Sequence, residues 1–168
     1  ERLQLRTRAV IDASGLSVTP REKKRRSILP SRIGIGAVIR DNDFALAKGH
    51  LMMLVAPKGY CGLVRLEDNS IDIAAAVDTN AVRHRKPWQA VADIFQHTKY
   101  GHPINLEDAT FIGKPSLTCR SPLFDERCYR VGDAAGYVEP LTGEGIGWAL
   151  LGARVLSAAF DICDPARP

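Results

Sequence analysis

Residues 128–160 read CYRVGDAAGYVEPLTGEGIGWALLGARVLSAAF, and this stretch decides the fold. It joins a short apolar strand, residues 128–131, to a glycine-containing loop and then to a long helix that is predicted to begin near Leu141. Between residues 145 and 160 the only charged side chain is that of Arg154. A helix that is apolar almost all round is expected to be buried on most sides. The segment therefore predicts a strand, a loop and a largely buried helix.

Glycines cluster at the start of this helix and inside it, at Gly143, Gly145, Gly147 and Gly152. Each interior glycine costs about 0.5 to 1 kcal/mol relative to alanine, so the cluster suggests that another group approaches closely. A helix start of this kind presents unpaired N–H groups and the positive end of the helix dipole, which favour an anion or a developing negative charge. The string GEGIGW lacks the Gly-Lys-Ser/Thr ending of a phosphate loop, which disfavours a nucleotide triphosphatase.

Asp133 follows the predicted strand directly and can accept hydrogen bonds from hydroxyl groups. A polyol is the natural partner for a carboxylate in this position. The alternative is that Asp133 only caps a turn and that the glycines serve helix packing. Composition and spacing alone leave both interpretations open.

The string VGDAAGYVEPLTGEGIGWAL, residues 131–150, resembles the second FAD motif of the geranylgeranyl reductase and flavoprotein aromatic hydroxylase superfamily. In that motif a strand ends in Gly-Asp-Ala-Ala, and a Pro with Gly-Glu-Gly opens the next helix. The resemblance implies that Asp133 binds the ribityl chain of FAD and that the helix start lies near the flavin pyrimidine. The cofactor-contacting residues that it implies are Gly132, Asp133, Ala134, Pro140, Leu141, Thr142, Gly143, Glu144 and Gly145.

A second string, RAVIDASGLS at residues 8–17, is similar to the strand of the same family that ends in Asp-Ala-x-Gly-x-Ser. It adds Asp12 and Gly15 to the implied cofactor site, although a plain strand-end turn is the alternative. The family's N-terminal GxGxxG is not in this sequence, so the chain is expected to be a C-terminal portion of such an enzyme. The Trp-x-Trp-x-Ile-Pro string of flavin-dependent halogenases is also absent, which makes a halogenase the less expected enzyme.

The residues between the two strings predict an antiparallel meander and one helix. Strands are expected over 31–40, 49–55, 60–66 and 71–78, because the connections after the second and third of these are too short for parallel crossovers. A strand is also expected over 3–12, a loop over 16–30 and a short strand near 117–120. Trp88, Val91, Ala92 and Phe95 fall on one face of an amphipathic helix that is expected to end near Tyr100.

These elements predict an α+β fragment of an α/β flavoprotein. Its parts would be an antiparallel substrate-domain sheet and the C-terminal strand, loop and helix of a Rossmann-like FAD-binding domain. The predicted boundaries are 1–17 for the end of one FAD-domain segment, 18–116 for the substrate domain, and 117–168 for the return to the FAD domain.

Tyr60 is the candidate substrate-contacting residue. The string Gly59-Tyr60-Cys61-Gly62 resembles the place where reductases of the family carry Gly-Tyr followed by Trp and Pro, and both of those are replaced here. The departure disfavours prenyl reduction, and a packing role for Tyr60 is the alternative. No catalytic acid or base is identified, because the flavin itself carries the chemistry in such enzymes.

Composition and charge disfavour several other classes of protein. Of the 168 residues, 45% are hydrophobic, enough for a sizeable core, and the net charge is +4. Much of the positive charge lies at 21–26, interpreted as a solvated loop rather than a nucleic-acid patch. The four cysteines show no metal-ligand spacing. The sequence contains no run of about 20 apolar residues, so no integral membrane segment is predicted. Peripheral association with a membrane stays open.

Two functions remain from the sequence. The first is an FAD-dependent hydroxylase or reductase that acts on an apolar or aromatic small molecule in the cytoplasm, with NAD(P)H as the expected reductant. The second is a non-catalytic remnant or small-molecule binding module that keeps the sheet and helix without flavin.

Overall fold

The computed structural model describes residues 4, 6–16, 27–28, 32–41, 43–100, 105–114 and 117–163. The basic run at 21–26 and most of the loop predicted for 16–30 lie outside these residues. The strands are β1 (Val10–Asp12), β2 (Ser27–Ile28), β3 (Ile33–Ile39), β4 (Leu51–Ala56), β5 (Gly59–Arg65), β6 (Ile71–Val77), β7 (Ile112–Lys114), β8 (Cys119–Arg120), β9 (Phe124–Asp125), β10 (Cys128–Arg130) and β11 (Gly136–Tyr137). The helices are α1 (Thr79–Val82), α2 (Pro87–Gln96) and α3 (Gly145–Cys163), and short 3-10 turns form at Gly132–Ala134 and Pro140–Thr142.

The chain divides into two compact units. One, which we call the terminal unit, consists of Glu1–Leu29 and Thr118–Pro168. The other, the central unit, is Pro30–Leu117.

The central unit is built on a five-stranded antiparallel sheet in the order β4-β5-β6-β3-β7. Its strands β3 to β6 lie within two residues of their predicted positions, and the prediction of an antiparallel sheet is confirmed. The prediction of a simple meander was wrong for β3, which pairs with β6 instead of β4. The physical reason lies in the connection from β3 to β4. Its residues Phe44 and Leu46 are buried in the core, so the connection is a packed loop rather than a hairpin turn.

Side chains alternate along these strands, and one face of the sheet packs against α2 to form the core. Leu63 of β5 and Ile73 of β6 are fully buried there beside Phe95 of α2. Helix α2 begins with Pro87 at its first position, a favoured place for proline, and the Gln89 side chain accepts a hydrogen bond from the Lys86 N–H at 3.0 Å. It ends at Gln96, four residues before the predicted end.

The early end of α2 has a local cause. The Thr98 hydroxyl donates to the Phe95 carbonyl at 2.8 Å, and the Thr98 N–H donates to the same oxygen at 2.9 Å. These bonds close the last turn in a tighter pattern than an α-helix and stop its extension.

The terminal unit contains two small sheets, in the orders β1-β10-β9 and β11-β8-β2. Strand β1 pairs in parallel with β10, and β9 pairs antiparallel with β10. Strand β1 has three residues where ten were predicted, because its partner β10 is itself only three residues long and offers no further ladder. Ser27–Ile28 forms a strand inside the segment that was predicted to be a loop.

Helix α3 differs from its prediction in two ways. It begins at Gly145 rather than near Leu141, because Pro140–Thr142 forms a 3-10 turn that ends at Gly143 with φ +71°. It is also widely exposed, with Ile146 at 78% and Leu150 at 68% of full exposure. The neighbouring strands have only two or three residues each, so within the described residues they cover one side of the helix and leave the other apolar side open.

Candidate functional site

A cavity of about 850 Å³ opens in the terminal unit between β9, β10, the loop that follows β10 and one side of α3. Its volume is in the range of small-molecule and cofactor pockets. Phe124, Tyr129, Trp148 and Val155 supply much of the apolar lining. Few polar groups converge on it, and this combination is typical of a site that binds a largely apolar ligand in one orientation.

The cavity gathers most of the loop that resembles the FAD motif. Of the residues predicted to contact the cofactor, those that line the cavity are Gly132, Asp133, Pro140, Thr142, Glu144 and Gly145. Ala134, Leu141 and Gly143 belong to the same loop but do not line it, and Asp12 and Gly15 lie at the end of β1. The grouping was predictable from the sequence, and the role of each residue towards FAD stays a prediction.

Gly132 fixes the turn that presents Asp133. Its φ is +59°, in the left-handed region that favours glycine, and a Cβ placed on it would lie 3.3 Å from the Ala149 Cβ of α3. The Ala135 N–H donates to the Gly132 carbonyl at 3.0 Å and closes the 3-10 turn. A glycine is therefore required here both for the backbone conformation and for the close approach of α3.

Asp133 carries negative charge close to Tyr137, and both residues line the cavity. Burial and then the charge of Asp133 raise the pKa of the Tyr137 hydroxyl above its ordinary value. Tyr137 is thus a neutral hydrogen-bond donor and acceptor throughout the physiological range. Sequence analysis missed Tyr137, and the only signal for it was its position inside the motif.

The start of α3 borders the same cavity through Glu144 and Gly145. The first helical hydrogen bond runs from the Trp148 N–H to the Glu144 carbonyl at 3.0 Å, so the preceding N–H groups have no partner within the helix. Apart from chain neighbours and the helix's own backbone, no described atom lies within 4 Å of a Cβ placed on Gly143, Gly145 or Gly147. The predicted close approach to these glycines is therefore not made by the described protein, and the helix start faces open space.

Asp12 lies outside the cavity and is engaged with protein groups. Its Oδ2 is 3.7 Å from the Arg130 Nε, and its Oδ1 accepts the Ser14 N–H at 3.0 Å. Gly15, with φ +69°, lies in the turn after β1, and no described group outside its chain neighbours lies within 4 Å of a Cβ placed on it. The described contacts of Asp12 are those of a residue that braces β1 against β10.

Tyr60 lies in the central unit and is 5% exposed. In the ladder it stands opposite Val55 and Ala76, on the sheet face away from α2. The Arg32 guanidinium lies 5.6 Å from its ring centroid and is itself paired with Asp78 at 3.0 Å. The substrate role of Tyr60 stays a prediction.

Other reactive groups are few in the part of the chain that the structure describes. Burial raises the pKa of the Cys61 thiol to about 12, which leaves it protonated and inert on the core side of β5. Among the described residues, no group of three His, Cys, Asp or Glu side chains is placed to hold a metal ion. None of the helices in the described ranges has the length and apolarity to cross a membrane.

Sequence comparison gives limited information. No model of a known protein family matches this chain. Conditioned medium factor receptor 1 from Dictyostelium discoideum is 53% identical over 37 residues, which are 22% of this chain and 7% of that protein.

Solved structures with the same fold include flavin-dependent enzymes. The flavin-dependent halogenase BrvH from Brevundimonas sp. BAL3 matches with a TM-score of 0.64 at 17% identity, over 93% of this chain and 32% of that chain. A triple mutant of the flavin-dependent brominase Bmp2 matches with a TM-score of 0.72 at 16% identity, over 95% and 45%. The peptidyl tryptophan dihydroxylase QhpG matches with a TM-score of 0.64 at 20% identity, over 87% and 34%.

These matches define the class of fold. The chain shares the fold of part of these enzymes, and the predicted α+β fragment of a flavoprotein is confirmed. It spans less than half of the length of each of these structures.

Proposed function

We propose that this chain forms the C-terminal part of an FAD-dependent oxidoreductase of the hydroxylase or reductase type. The observation that carries the proposal is the cavity in which Asp133 and the start of α3 come together. A carboxylate for hydroxyl groups and a helix start for a negatively charged ring are the two groups that the family resemblance requires.

The residues of the cavity fit the ribityl and ring portions of FAD. Asp133 would accept hydrogen bonds from the ribityl hydroxyls, and the first N–H groups of α3 would face the pyrimidine edge of the ring. Besides Asp133, the charged lining groups are the acidic Glu139 and Glu144 and the basic Arg130, which is paired with Asp12. Acidic groups therefore outnumber basic ones and disfavour a phosphate. The cavity therefore suits the uncharged part of the cofactor better than its pyrophosphate. When bound, the flavin would supply hydride or oxygen chemistry, with NAD(P)H as the proposed reductant.

One sheet face of the central unit is the reason for proposing an apolar or aromatic substrate. On the sheet face away from α2, Leu51 and Val55 of β4 are each 65% exposed, and Val38 of β3 is 58% exposed. Between them the ladder places small residues, Gly36, Gly62 and Ala74, side by side on three neighbouring strands. The exposed Asp72 also lies on this face, opposite Val38 and Val64. We propose that the apolar part of this face and Tyr60 form the substrate side of the enzyme.

A flavin-dependent halogenase is the second candidate. It is favoured by the fold shared with BrvH and Bmp2. The absence of Trp-x-Trp-x-Ile-Pro from this sequence argues against it. Consumption of chloride or bromide during turnover distinguishes a halogenase from a hydroxylase or reductase.

The visible absorption spectrum of the purified full-length protein tests the proposal. We expect a bound-flavin spectrum that is weakened or lost in Asp133→Ala and unchanged in Asp93→Ala, which removes an exposed carboxylate from the central unit. A folded, colourless protein that does not take up added FAD would refute the enzyme and favour the binding module. Equal flavin loss in both variants would refute the role of Asp133.

A further inference from the structure

Arg130 joins three segments of the terminal unit and lines the cavity. Its Nε lies 3.7 Å from Asp12 of β1, and its Nη1 donates to the Pro122 carbonyl at 2.8 Å. Its backbone N–H donates to the Leu123 carbonyl at 2.8 Å. The Arg130 side chain is 6% exposed and that of Asp12 is 15% exposed, so this is a nearly buried ion pair in a unit with little other buried material.

The pair fixes the chain where it enters the Gly132–Ala134 turn. Asp12 and Arg130 stand opposite each other in the parallel ladder, and the Val131 N–H donates to the Asp12 carbonyl at 3.0 Å. The next residue is Gly132, whose left-handed backbone has to be held by its surroundings. The position of Asp133 thus depends on contacts that Asp12 makes with its side chain and its backbone.

We infer that Asp12 is a positioning residue, which holds Asp133 in place through Arg130 and does not itself touch the flavin. This inference rests on the proposed FAD function. Its physical basis is the charge of Arg130, which also lines the cavity. If Asp12 loses its charge, the guanidinium is left buried without its carboxylate, a costly state. A guanidinium that has lost this anchor can move within the cavity lining that it shares with Asp133 and compete with the ribityl chain for that carboxylate.

A double-mutant cycle tests whether Asp12 acts through Asp133. The FAD dissociation constant of the full-length protein is measured by flavin fluorescence for wild type, Asp12→Asn, Asp133→Ala and the double variant. We expect Asp12→Asn to weaken FAD binding about tenfold, the low end of what loss of an outer-shell partner costs at metal sites. In the Asp133→Ala background the same change is expected to have an effect within about twofold, because the two residues share one function. Additive losses would overturn the inference, since they mean that Asp12 contacts the flavin independently.

A control variant tests whether the loss of an ion pair elsewhere in the protein also weakens FAD binding. Asp93→Asn breaks the exposed Arg85–Asp93 pair of the central unit, whose Nη1 and Oδ2 are 2.7 Å apart, and is expected to leave FAD affinity unchanged. If Asp12→Asn does not fold, the cycle is run with Asp12→Glu, which keeps the charge and is expected to give a smaller loss with the same coupling to Asp133→Ala. Independent, additive behaviour of Asp12→Glu would equally overturn the inference.

Hydrogen exchange, which needs no flavin, tests the positioning role of Asp12 separately from the proposed FAD function. Wild-type protein that binds no FAD would refute the proposed function alone. Hydrogen exchange at the Val131 and Ala135 amides, both donors in the turn region, is then compared in wild type and Asp12→Asn. Faster exchange there with unchanged exchange in α2 supports the positioning role, and unchanged exchange at both amides overturns it.

Discussion

At the scale of single residues, the site depends on side chains whose properties come from their neighbours. Asp133 and Tyr137 are four positions apart in the chain, and the cavity brings both to one surface. Burial and the Asp133 charge keep Tyr137 protonated, so the two side chains offer an acceptor and a donor together. A ligand with several hydroxyl groups can use both.

The Tyr137 hydroxyl gives a test of this geometry that needs no cofactor. Because its pKa is raised in the folded state, its contribution to stability is present below the ordinary value of 10.0 and is lost as pH rises above that value. Asp133→Asn is expected to lower the pKa of Tyr137 part of the way towards 10.0, since burial remains and only the negative charge is removed. NMR titration of the ring carbon next to the hydroxyl measures this. An unchanged pKa would mean that Asp133 does not face Tyr137.

At the scale of secondary structure elements, Arg65 stabilises the loop that connects β3 to β4. This loop allows β3 to pair with β6 instead of β4. Its guanidinium donates to the carbonyls of Leu46 at 2.8 Å, Asp41 at 3.0 Å and Phe44 at 2.6 Å. It also donates to the Asn69 carbonyl at 2.7 Å. A planar group with several donors can serve four carbonyls in this way, whereas an ammonium on a flexible stem cannot.

Arg65→Lys is therefore expected to destabilise the fold by about 1.5 to 3 kcal/mol, the usual range for hydrogen bonds to a charged group. The matched change Arg85→Lys, at an exposed ion pair, is expected to destabilise the fold much less, because solvent screens such a pair. Urea denaturation followed by circular dichroism compares the two. Equal losses would contradict a special role for Arg65.

At the scale of the whole molecule, the two units differ in how much they bury. Nearly all of the buried residues belong to the central unit, while those of the terminal unit in the described ranges are Ala134 and Arg130. Burial of apolar area is the main favourable contribution to folding. The terminal unit therefore has less of its own stabilisation, and it carries the cavity.

This difference predicts the pattern of hydrogen exchange. Amides of β5, β6 and α2 are expected to exchange most slowly, and those of α3 much faster, because a thin core opens at low free energy. Addition of FAD at 100 times its dissociation constant is expected to slow α3 exchange by about 100-fold, since ligand binding stabilises the folded state by mass action. Mass spectrometry of exchanged peptides measures both effects. Uniform protection of the two units without FAD would contradict the prediction.

The sequence by itself determined the main elements and much of the loop that lines the cavity. Alternation at Ile33, Ile35 and Ile39 specified β3, and helical spacing at Trp88 and Phe95 specified α2, because both periods follow from local backbone geometry. The Gly-Asp string at residues 132–133 located the turn that lines the cavity. Such features depend on residues close together in the chain, so a pattern in the sequence is enough to predict them.

Only the tertiary structure decided what depends on residues far apart. The place of β3 beside β6 follows from the packing of Phe44 and Leu46, which no local pattern reveals. The partnership of Asp12 with Arg130 joins positions more than a hundred residues apart. Within the described residues, the exposure of α3 also depends on its neighbours, since β9 and β10 have only two or three residues each and an apolar helix is buried only where another element covers it.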